Sequence, residues 1–252
     1  YKLSWRDPKI KNAKKIGVIT SVYNGIQNII KCIDSVKSQS IDNVFHYIYD
    51  DGSTDKLDFV MEIFSNDPTI KYFNNKKNNG LSYGRNFALE RALNDDCDII
   101  AFLDVDDVWE NDHLKESIHF LDNKDIVYSR PKIRDLEGNE LHPTWVIPST
   151  FNGNYLYQSN FIWISSVVAK ATCFIHNKFN QKLTCYEDWD MWLTLYEEGF
   201  KFFSKESQTV TYVYNKNTNW GDAGEQYNRM IENHLSNSKT LVIGFSFPNN
   251  LP

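Results

Sequence analysis

Short apolar runs alternate with segments of helical periodicity through the first half of the chain. The apolar runs lie at 15–22, 44–49, 70–73 and 98–103, and runs of this length are typical of buried parallel strands. Between them, apolar residues recur three or four positions apart, as on one face of a helix. We expect Asn24 and Asp55 to cap the first two of these helices, because short polar side chains favour N-terminal caps, and Ser82 to open the third.

Strands that alternate with single helices predict an α/β fold built on a parallel sheet with right-handed connections. The second half of the chain is less regular. Its patterns predict further elements in this order: a helix near 112–121, a strand at 126–129, an aromatic region at 138–163, a helix from Glu187, a β-rich stretch at 210–214, a polar loop at 215–224 and a last helix over 225–236.

Three polar clusters follow predicted strands directly: Tyr23-Asn24, Asp50-Asp51 and the acidic segment 104–107. The carboxyl ends of parallel strands lie at one edge of a sheet, and ligands bind there where the strand order reverses. The three clusters are therefore predicted to share one site.

The acidic segment FLDVDDVW places Asp104, Asp106 and Asp107 after a buried strand, where unpaired negative charge is costly. A divalent cation with a diphosphate would compensate for that charge, and carboxylate ligands suit Mg²⁺ or Mn²⁺. On an extended backbone Asp104 and Asp106 would point to opposite sides, one towards the metal and the other towards a ribose or the loop. The alternative is a solvated acidic turn that caps the next helix.

Other polar residues near strand ends suit a nucleotide. Asp51 could accept a hydrogen bond from a base N–H, and Tyr23 could stack on the base, although a turn and ordinary packing also explain them. Arg85, on the first turns of a predicted helix, could pair with a phosphate or an acidic neighbour; the alternative is a surface ion pair.

The segment CYEDWDMW places Glu187, Asp188 and Asp190 at a predicted helix start. One of these carboxylates could act as a general base, although acidic residues are also favoured there by the helix dipole. Trp189 and Trp192 would either form a stacking surface for an acceptor or belong to the core, and core is the stronger expectation for Trp192.

The bulk composition is that of an ordinary globular protein of 252 residues, with 41% hydrophobic and 24% charged residues. Its net charge of −6 argues against nucleic-acid binding, because no basic stripe is available to neutralise phosphates. The 15% aromatic content suits a sugar-binding cleft, although the core accounts for most aromatics. Four scattered cysteines lack the spacing of a zinc site or a disulfide framework, which favours a reducing, cytoplasmic compartment.

The motifs, taken together and in order, resemble family 2 glycosyltransferases of the GT-A fold. The segments that carry the resemblance are SVYNG at 21–25, DDGSTD at 50–55, NNGLSYGRNFAL at 78–89, FLDVDDVW at 102–109 and YEDWDMWL at 186–193. The resemblance spans about 15–215, and its strength lies in five motifs in the right order and spacing.

The resemblance implies an inverting transfer of a sugar from a nucleotide diphosphate donor to the hydroxyl of a glycan or another acceptor. The pair of Asp51 and Tyr23 suits uracil, which favours a UDP-sugar, although a thymidine nucleotide would make similar contacts. The resemblance also implies a bound Mn²⁺ or Mg²⁺ and a Rossmann-like, mostly parallel sheet. Carried over by position, the roles are as follows: Tyr23 and Asp51 bind the base, Arg85 contacts the nucleotide, Asp104 the ribose, Asp106 the metal, and Asp188 is the catalytic base, with Asp50 and Asp107 in support.

The corresponding division of the chain is a lead-in arm at 1–14, one catalytic domain at 15–220, and a C-terminal helix and tail at 221–252. Within the domain, 15–107 would bind the nucleotide and 108–220 the acceptor. No apolar stretch reaches membrane-spanning length, so we expect no membrane segment in this chain, and at most a peripheral association with a membrane. A first residue other than Met suggests a piece of a longer, multidomain protein.

The chain departs from the family pattern at several positions. Ser21 stands where proline is usual, and Tyr83-Gly84 replaces the usual small residue before Arg85. The segment YVYNKNTNWGD lacks the histidine that many members place there, which puts metal coordination from that segment in doubt. Gln-x-x-Arg-Trp is absent, which disfavours a processive membrane synthase.

Two other functions remain open. A nucleotidyltransferase would share the architecture and the metal chemistry, but SVYNGIQN lacks the basic phosphate loop that such enzymes usually carry. A non-catalytic module that binds nucleotide sugars is the other alternative, and retention of all the acidic motifs argues against it.

Overall fold

The computed structural model describes residues 14–142, 148–214 and 223–237. Most of the predicted lead-in arm, most of the loop at 215–224 and the tail beyond 237 lie outside the described residues, as do residues 143–147 of the aromatic region. The helices are α1 (Ile29–Lys37), α2 (Leu57–Met61), α3 (Leu81–Asn94), α4 (His113–His119), α5 (Gly153–Leu156), α6 (Glu187–Glu197) and α7 (Ala223–Asn237).

The strands are β1 (Ile16–Val22), β2 (Val44–Asp50), β3 (Ile70–Asn74), β4 (Ile99–Phe102), β5 (Val108–Trp109), β6 (Ile126–Ser129), β7 (Lys132–Arg134), β8 (Glu140–Leu141), β9 (Val168–Lys170), β10 (Phe202–Lys205) and β11 (Val210–Val213). The four strands predicted in the first half are confirmed, as is the strand at 126–129. The helices predicted near 112–121, from Glu187 and over 225–236 are also present as α4, α6 and α7.

The main sheet has seven strands in the order β10-β6-β9-β4-β1-β2-β3. All neighbours are parallel except at β9, which runs antiparallel to both β4 and β6. Strand order reverses at β1, since β2 and β3 extend to one side of it and β4 lies on the other. The expected α/β architecture with a mixed, mostly parallel sheet is confirmed, and the reversal marks the edge at which ligands bind.

A second, four-stranded sheet has the order β5-β11-β7-β8. Strand β5 follows the acidic segment directly and pairs antiparallel with β11, which pairs parallel with β7. This small sheet therefore lies next to the carboxyl end of β4 and supports the loop that leaves it.

Helices cover both faces of the main sheet. On one face, Val18 of β1 packs with Cys32 of α1 and Leu114 of α4. On the other face, Ile19 packs with Ala88 of α3, and Trp192 of α6 lies in the same cluster. Successive residues of a strand point to opposite faces, so a strand buried on both reads as a continuous apolar run.

Two of the expected helix starts are wrong, because α1 begins after Asn28 and α2 after Lys56. The third holds to within one residue, because α3 begins at Leu81, directly before Ser82. The side chain of Asn24 instead accepts a hydrogen bond from the Thr54 N–H, and that of Asp55 accepts one from the Ile26 N–H, each at 2.8 Å. Both side chains find donors in the neighbouring loop rather than in their own helix, and so they tie the loop after β1 to the loop after β2.

No helix in the described parts of the chain combines the length and apolar character needed to cross a bilayer. All four cysteines are buried as free thiols.

Candidate functional site

The predicted site residues gather at the edge where β1, β2 and β4 end. Tyr23 follows β1, Asp50 is the last residue of β2 and Asp51 the next, and the acidic segment follows β4. Asp50 is fully buried; its carboxylate accepts hydrogen bonds from the Ser53 N–H and the Tyr72 hydroxyl, both at 2.8 Å. Asp50 thus shapes the turn that presents its neighbour.

Asp51 is buried and organises the start of α3. Its two carboxylate oxygens accept hydrogen bonds from the Asn79 and Gly80 N–H groups, each at 2.8 Å. Burial raises its pKa, against the effect of these two hydrogen bonds. Each oxygen still has a second lone pair, so a further donor such as a base N–H can be accepted.

Tyr23 lies at the rim of this edge with half of its surface exposed (51%). The loop that carries it is tied to the Asp50-Asp51 turn, because the Asn24 N–H donates to the Ser53 hydroxyl at 2.8 Å. An exposed ring on a fixed loop beside Asp51 leaves a face available for stacking.

The acidic segment is a turn rather than an extended strand. The Asp107 N–H donates to the Asp104 carbonyl at 3.0 Å, which closes a turn over 104–107. The expectation that Asp104 and Asp106 alternate along an extended backbone is therefore wrong, since a closed turn ends the two-residue alternation of side chains. The turn is fixed at both ends: the Ser165 hydroxyl accepts from the Asp104 N–H at 3.0 Å, and Asp107 accepts from the Val213 N–H at 3.2 Å.

The three carboxylates of the turn differ in environment. Asp106 is exposed, Asp104 is one-third exposed and Asp107 is buried. Neighbouring protein atoms remove part of the hydration of the Asp106 carboxylate. This desolvation and the negative charge of Asp104 raise the pKa of Asp106 to about 6. Burial raises the pKa of Asp107 well above its usual range, and Asp106 and Asp104 add to that effect. The negative potential that these carboxylates create together favours the binding of a cation at the exposed carboxylate of Asp106.

Arg85 connects this turn to helix α6. Its guanidinium is buried and pairs with Asp104 at 2.7 Å and with Glu187, the first residue of α6. The interpretation of Arg85 as a surface ion pair is therefore wrong, and its pairing with acidic neighbours is confirmed. Burial opposes its charge, but Asp104 and Glu187 outweigh burial and raise the pKa of Arg85 further.

Asp188, next to Glu187, lies partly buried at the start of α6. Burial and the charge of Glu187 raise its pKa to about 7, although Arg85 acts in the opposite direction. Its oxygens accept hydrogen bonds from the Trp189 N–H at 2.7 Å and from the Asn160 side chain at 3.1 Å.

Trp189 and Trp192 are both buried in the core. The Trp189 indole N–H donates to the Leu156 carbonyl and the Trp192 indole N–H to the Ile162 carbonyl. The core interpretation therefore holds for both rings, and they anchor α6 rather than face an acceptor.

The donor set for a metal is small. No group of three histidine, cysteine or carboxylate side chains in the described residues is arranged to hold a metal ion. Asp106 offers an exposed carboxylate, and Mg²⁺ and Mn²⁺ are commonly held by one or two carboxylates together with substrate phosphates and water. The residues present fit an ion that enters with a diphosphate.

Sequence reasoning missed two supporting residues, Ser165 and Asn160. They lie 61 and 28 residues from their partners, Asp104 and Asp188. Neither sits in a motif, and no local pattern announces contacts over such separations. The sequence marks Glu187 only as one of three acids at the start of α6, and its pairing with Arg85 spans 102 residues.

Comparisons with known proteins identify the family of this chain. The family model "Glycosyl transferase family 2" matches residues 17–183. An uncharacterised glycosyltransferase of Rickettsia conorii is 31% identical over 190 residues, which is 74% of this chain and 31% of that protein. A UDP-Glc:α-D-GlcNAc-diphosphoundecaprenol β-1,3-glucosyltransferase of Escherichia coli, WfgD, is 28% identical over 184 residues, 73% of this chain and 70% of that protein.

Solved structures share the fold. TarS 1–349 of S. aureus in complex with UDP superposes with a TM-score of 0.71 at 20% identity, over 90% of this chain and 67% of that one. The mannosyltransferase PcManGT of Pyrobaculum calidifontis, in complex with GDP-Man and Mn²⁺, gives 0.65 at 14% identity, over 90% and 64%. The chain spans about a third of the length of the Rickettsia relative. The family model covers well over half of the chain, and the chain belongs to glycosyl transferase family 2.

Proposed function

We propose that this chain is an inverting glycosyltransferase that moves a sugar from a UDP-sugar to the hydroxyl of a glycan or another acceptor. The observation that carries the proposal is the bridge made by Arg85, which pairs with Asp104 in the acidic turn and with Glu187 beside Asp188. The buried guanidinium of Arg85 thereby holds two carboxylates at the edge where the strand order reverses: Asp104 on the side proposed for the donor and Glu187 on the side proposed for the acceptor.

The donor half of the site would use residues 15–107. Asp51 would accept the N–H of the base, Tyr23 would stack on its ring, and Asp104 would contact the ribose with the carboxylate oxygen that Arg85 leaves free. One sequence relative is named for UDP-Glc, and one structural neighbour, TarS, was solved with UDP; both support uracil as the base. Arg85 already has two acidic partners. It would therefore affect nucleotide binding indirectly, by holding Asp104 in place.

Asp106 would hold Mn²⁺ or Mg²⁺ together with the diphosphate. The exposed carboxylate and the raised pKa of Asp106 support this role, as does the Mn²⁺ in the PcManGT complex. When bound, the ion offsets the negative charge that develops on the departing diphosphate.

Asp188 would act as the general base. The acceptor oxygen forms a bond to the anomeric carbon while the bond from that carbon to the diphosphate oxygen breaks, and the nucleotide diphosphate leaves with the electron pair. The proton of the acceptor hydroxyl passes to Asp188. A base with a pKa of about 7 is well matched to this transfer near neutral pH.

The acceptor would bind against residues 108–220, and the WfgD relative is named for a lipid-linked GlcNAc diphosphate acceptor. A saccharide of this kind is a reasonable first acceptor to test. We also propose that the protein acts in the cytoplasm.

The test is a panel of nucleotide sugars with Mn²⁺, in which nucleotide release is measured with and without EDTA and with and without saccharide acceptors. We expect release from a UDP-sugar that depends on metal and acceptor, a product of inverted anomeric configuration by NMR, and loss of turnover in Asp188→Asn. Donor binding without any transfer would favour a non-catalytic binding module. Pyrophosphate release from a sugar phosphate and UTP would favour a nucleotidyltransferase.

A further inference from the structure

The segment 156–162, which starts at the last residue of α5 and leads towards β9, is joined to the face of α6 that carries Asp188. Three donors make the connection: the Trp189 indole N–H to the Leu156 carbonyl at 2.6 Å, the Trp192 indole N–H to the Ile162 carbonyl at 3.2 Å, and the Asn160 amide to Asp188 at 3.1 Å. The first two fix the path of the segment along the helix, and Asn160 lies between their two acceptors.

The orientation of the Asn160 amide follows from its own turn. Its side-chain oxygen accepts a hydrogen bond from the Ile162 N–H at 3.3 Å, so its NH₂ group must point the other way. That NH₂ group faces the Asp188 carboxylate. An amide whose oxygen is already committed to a backbone donor can offer the carboxylate only a donor.

The backbone around Asn160 is well anchored. Phe161 and Ile162 are almost completely buried, and Phe161 packs against Tyr128 and Tyr155. The donor group is therefore held in place from its own side and does not depend on Asp188 for its position.

We infer that Asn160 is a positioning residue for Asp188: its amide holds one carboxylate oxygen by a directed hydrogen bond and thereby keeps the carboxylate ionised and aimed. The Trp189 N–H holds the other oxygen, so the carboxylate is fixed at two points and retains one lone pair on each oxygen for the acceptor hydroxyl. This inference rests on the proposed function, in which Asp188 is the base.

The effect of Asn160 on ionisation opposes that of its surroundings. Burial and the charge of Glu187 favour the neutral acid at Asp188, whereas the Asn160 hydrogen bond favours the carboxylate. Removal of the amide should raise the pKa of Asp188 by about one unit, because hydrogen bonds to a charged group are among the stronger ones.

Two substitutions test the inference. Asn160→Ala removes the donor. Asn160→Asp is nearly isosteric and keeps an oxygen for the Ile162 N–H, but it replaces the donor with a second carboxylate. Asn152→Ala is the matched control, because the Asn152 side chain accepts a similar bond from the Tyr155 N–H at the start of the neighbouring helix α5, and no bond joins Asn152 to Asp188 among the described residues.

For Asn160→Ala we expect the acid limb of the kcat profile to move up by about one pH unit, with a roughly fivefold loss at pH 7 that recovers at high pH. Asn160→Asp should move the limb further, and Asn152→Ala should leave it in place. The KM for the donor should stay unchanged in all three. Thermal unfolding will establish that each variant is folded. The titration of Asp188 can be followed without turnover by ¹³C NMR of labelled aspartate carboxyls, and Asp188→Asn assigns the resonance.

A loss of rate that is equal at every pH would mean a purely structural role and would overturn the inference. An increase confined to the KM for the acceptor would also overturn it, because Asn160 would then bind the acceptor. If Asp188→Asn keeps full activity, the proposed function loses its base and this inference falls with it. If Asp188→Asn is inactive and the Asn160 variants keep the wild-type profile, only this inference fails.

Discussion

Gly84 of α3 lies directly against Ser21 of β1: a Cβ atom at position 84 would stand 2.1 Å from the Ser21 hydroxyl oxygen. Both positions lie in segments that the sequence comparison of motifs singles out, SVYNG and NNGLSYGRNFAL, and the two segments meet at this contact. Glycine at 84 allows the helix that carries Arg85 to approach the strand, and the short serine side chain fills the space that remains.

Gly84→Ala should destabilise the protein by about 1–2 kcal/mol, because overpacking outweighs the better helix propensity of alanine. Urea denaturation would measure the change. Glu90→Ala, on the exposed side of the same helix, is the control and should change stability little. Ser21→Gly should recover part of the loss in the double variant; an unchanged or higher stability of Gly84→Ala alone would contradict the packing argument.

Arg85→Gln should destabilise the protein by about 3–5 kcal/mol, since it leaves the buried Glu187 carboxylate without its cation. Asp104 is one-third exposed and can turn to water, so most of the loss should come from Glu187. Adding Glu187→Gln should therefore restore much of the stability. Urea denaturation of the two single variants and the double variant gives a double-mutant cycle for this pair. If the losses of stability in the single variants simply add in the double variant, Arg85 and Glu187 are not coupled.

Activity should rise as the pH increases through about 7, because Asp188 must be ionised to accept a proton and its pKa is raised to about 7. The kcat profile of the wild type checks this directly. Asp188→Asn should lower kcat by about 10²–10⁴ with little change in donor affinity. A profile with no inflection between pH 5 and 9 would argue against a carboxylate base in this environment.

Asp106→Asn should weaken metal-dependent binding of UDP by about tenfold or more, because it removes the exposed carboxylate ligand. Isothermal titration of UDP with Mn²⁺, and again with EDTA, measures the difference. Glu110→Gln is the control, an exposed acid that follows the turn and pairs with Lys132. The assignment of Asp106 would be wrong if Asp106→Asn and the wild type respond equally to EDTA.

Helix α7 docks on α6 through His234, whose two ring nitrogens face Asp190 at 3.2 Å and Glu197 at 3.0 Å. Burial lowers the pKa of His234, but hydrogen bonds to both carboxylates and their charges outweigh burial, and the net shift is upward. Only the protonated ring can donate to both partners at once. The Tyr157 hydroxyl also donates to Glu197 and completes this group.

A raised folded-state pKa means that the stabilisation by His234 is fully present below its ordinary pKa of about 6.5 and is lost as the pH rises through the folded-state value. His234→Gln should therefore cost about 2 kcal/mol at pH 5.5 and much less at pH 9. Urea denaturation at the two pH values measures this. His176→Gln, at an exposed position, should show no such dependence, and an equal cost at both pH values for His234→Gln would refute the ion-pair account.

Much of the architecture could be predicted because local patterns report local burial. The continuous apolar run of β1 predicts a strand covered on both faces, and the acids that follow β2 and β4 point to one sheet edge. The start of α6 at Glu187 also follows from its own residues. These features depend on neighbours along the chain, so the order of apolar and polar side chains is enough to specify them.

Tertiary structure alone decided which side chains meet. Asn24 and Asp55 bond to neighbouring loops instead of capping helices, and the turn at 104–107 replaces an extended segment. One of the two partners of Arg85, Glu187, lies 102 residues away, and the amide that holds Asp188 comes from a segment without a motif. A polar group bonds to whatever donor or acceptor the folded chain brings within 3 Å or so, and that choice is made by the path of the backbone rather than by the residues beside it.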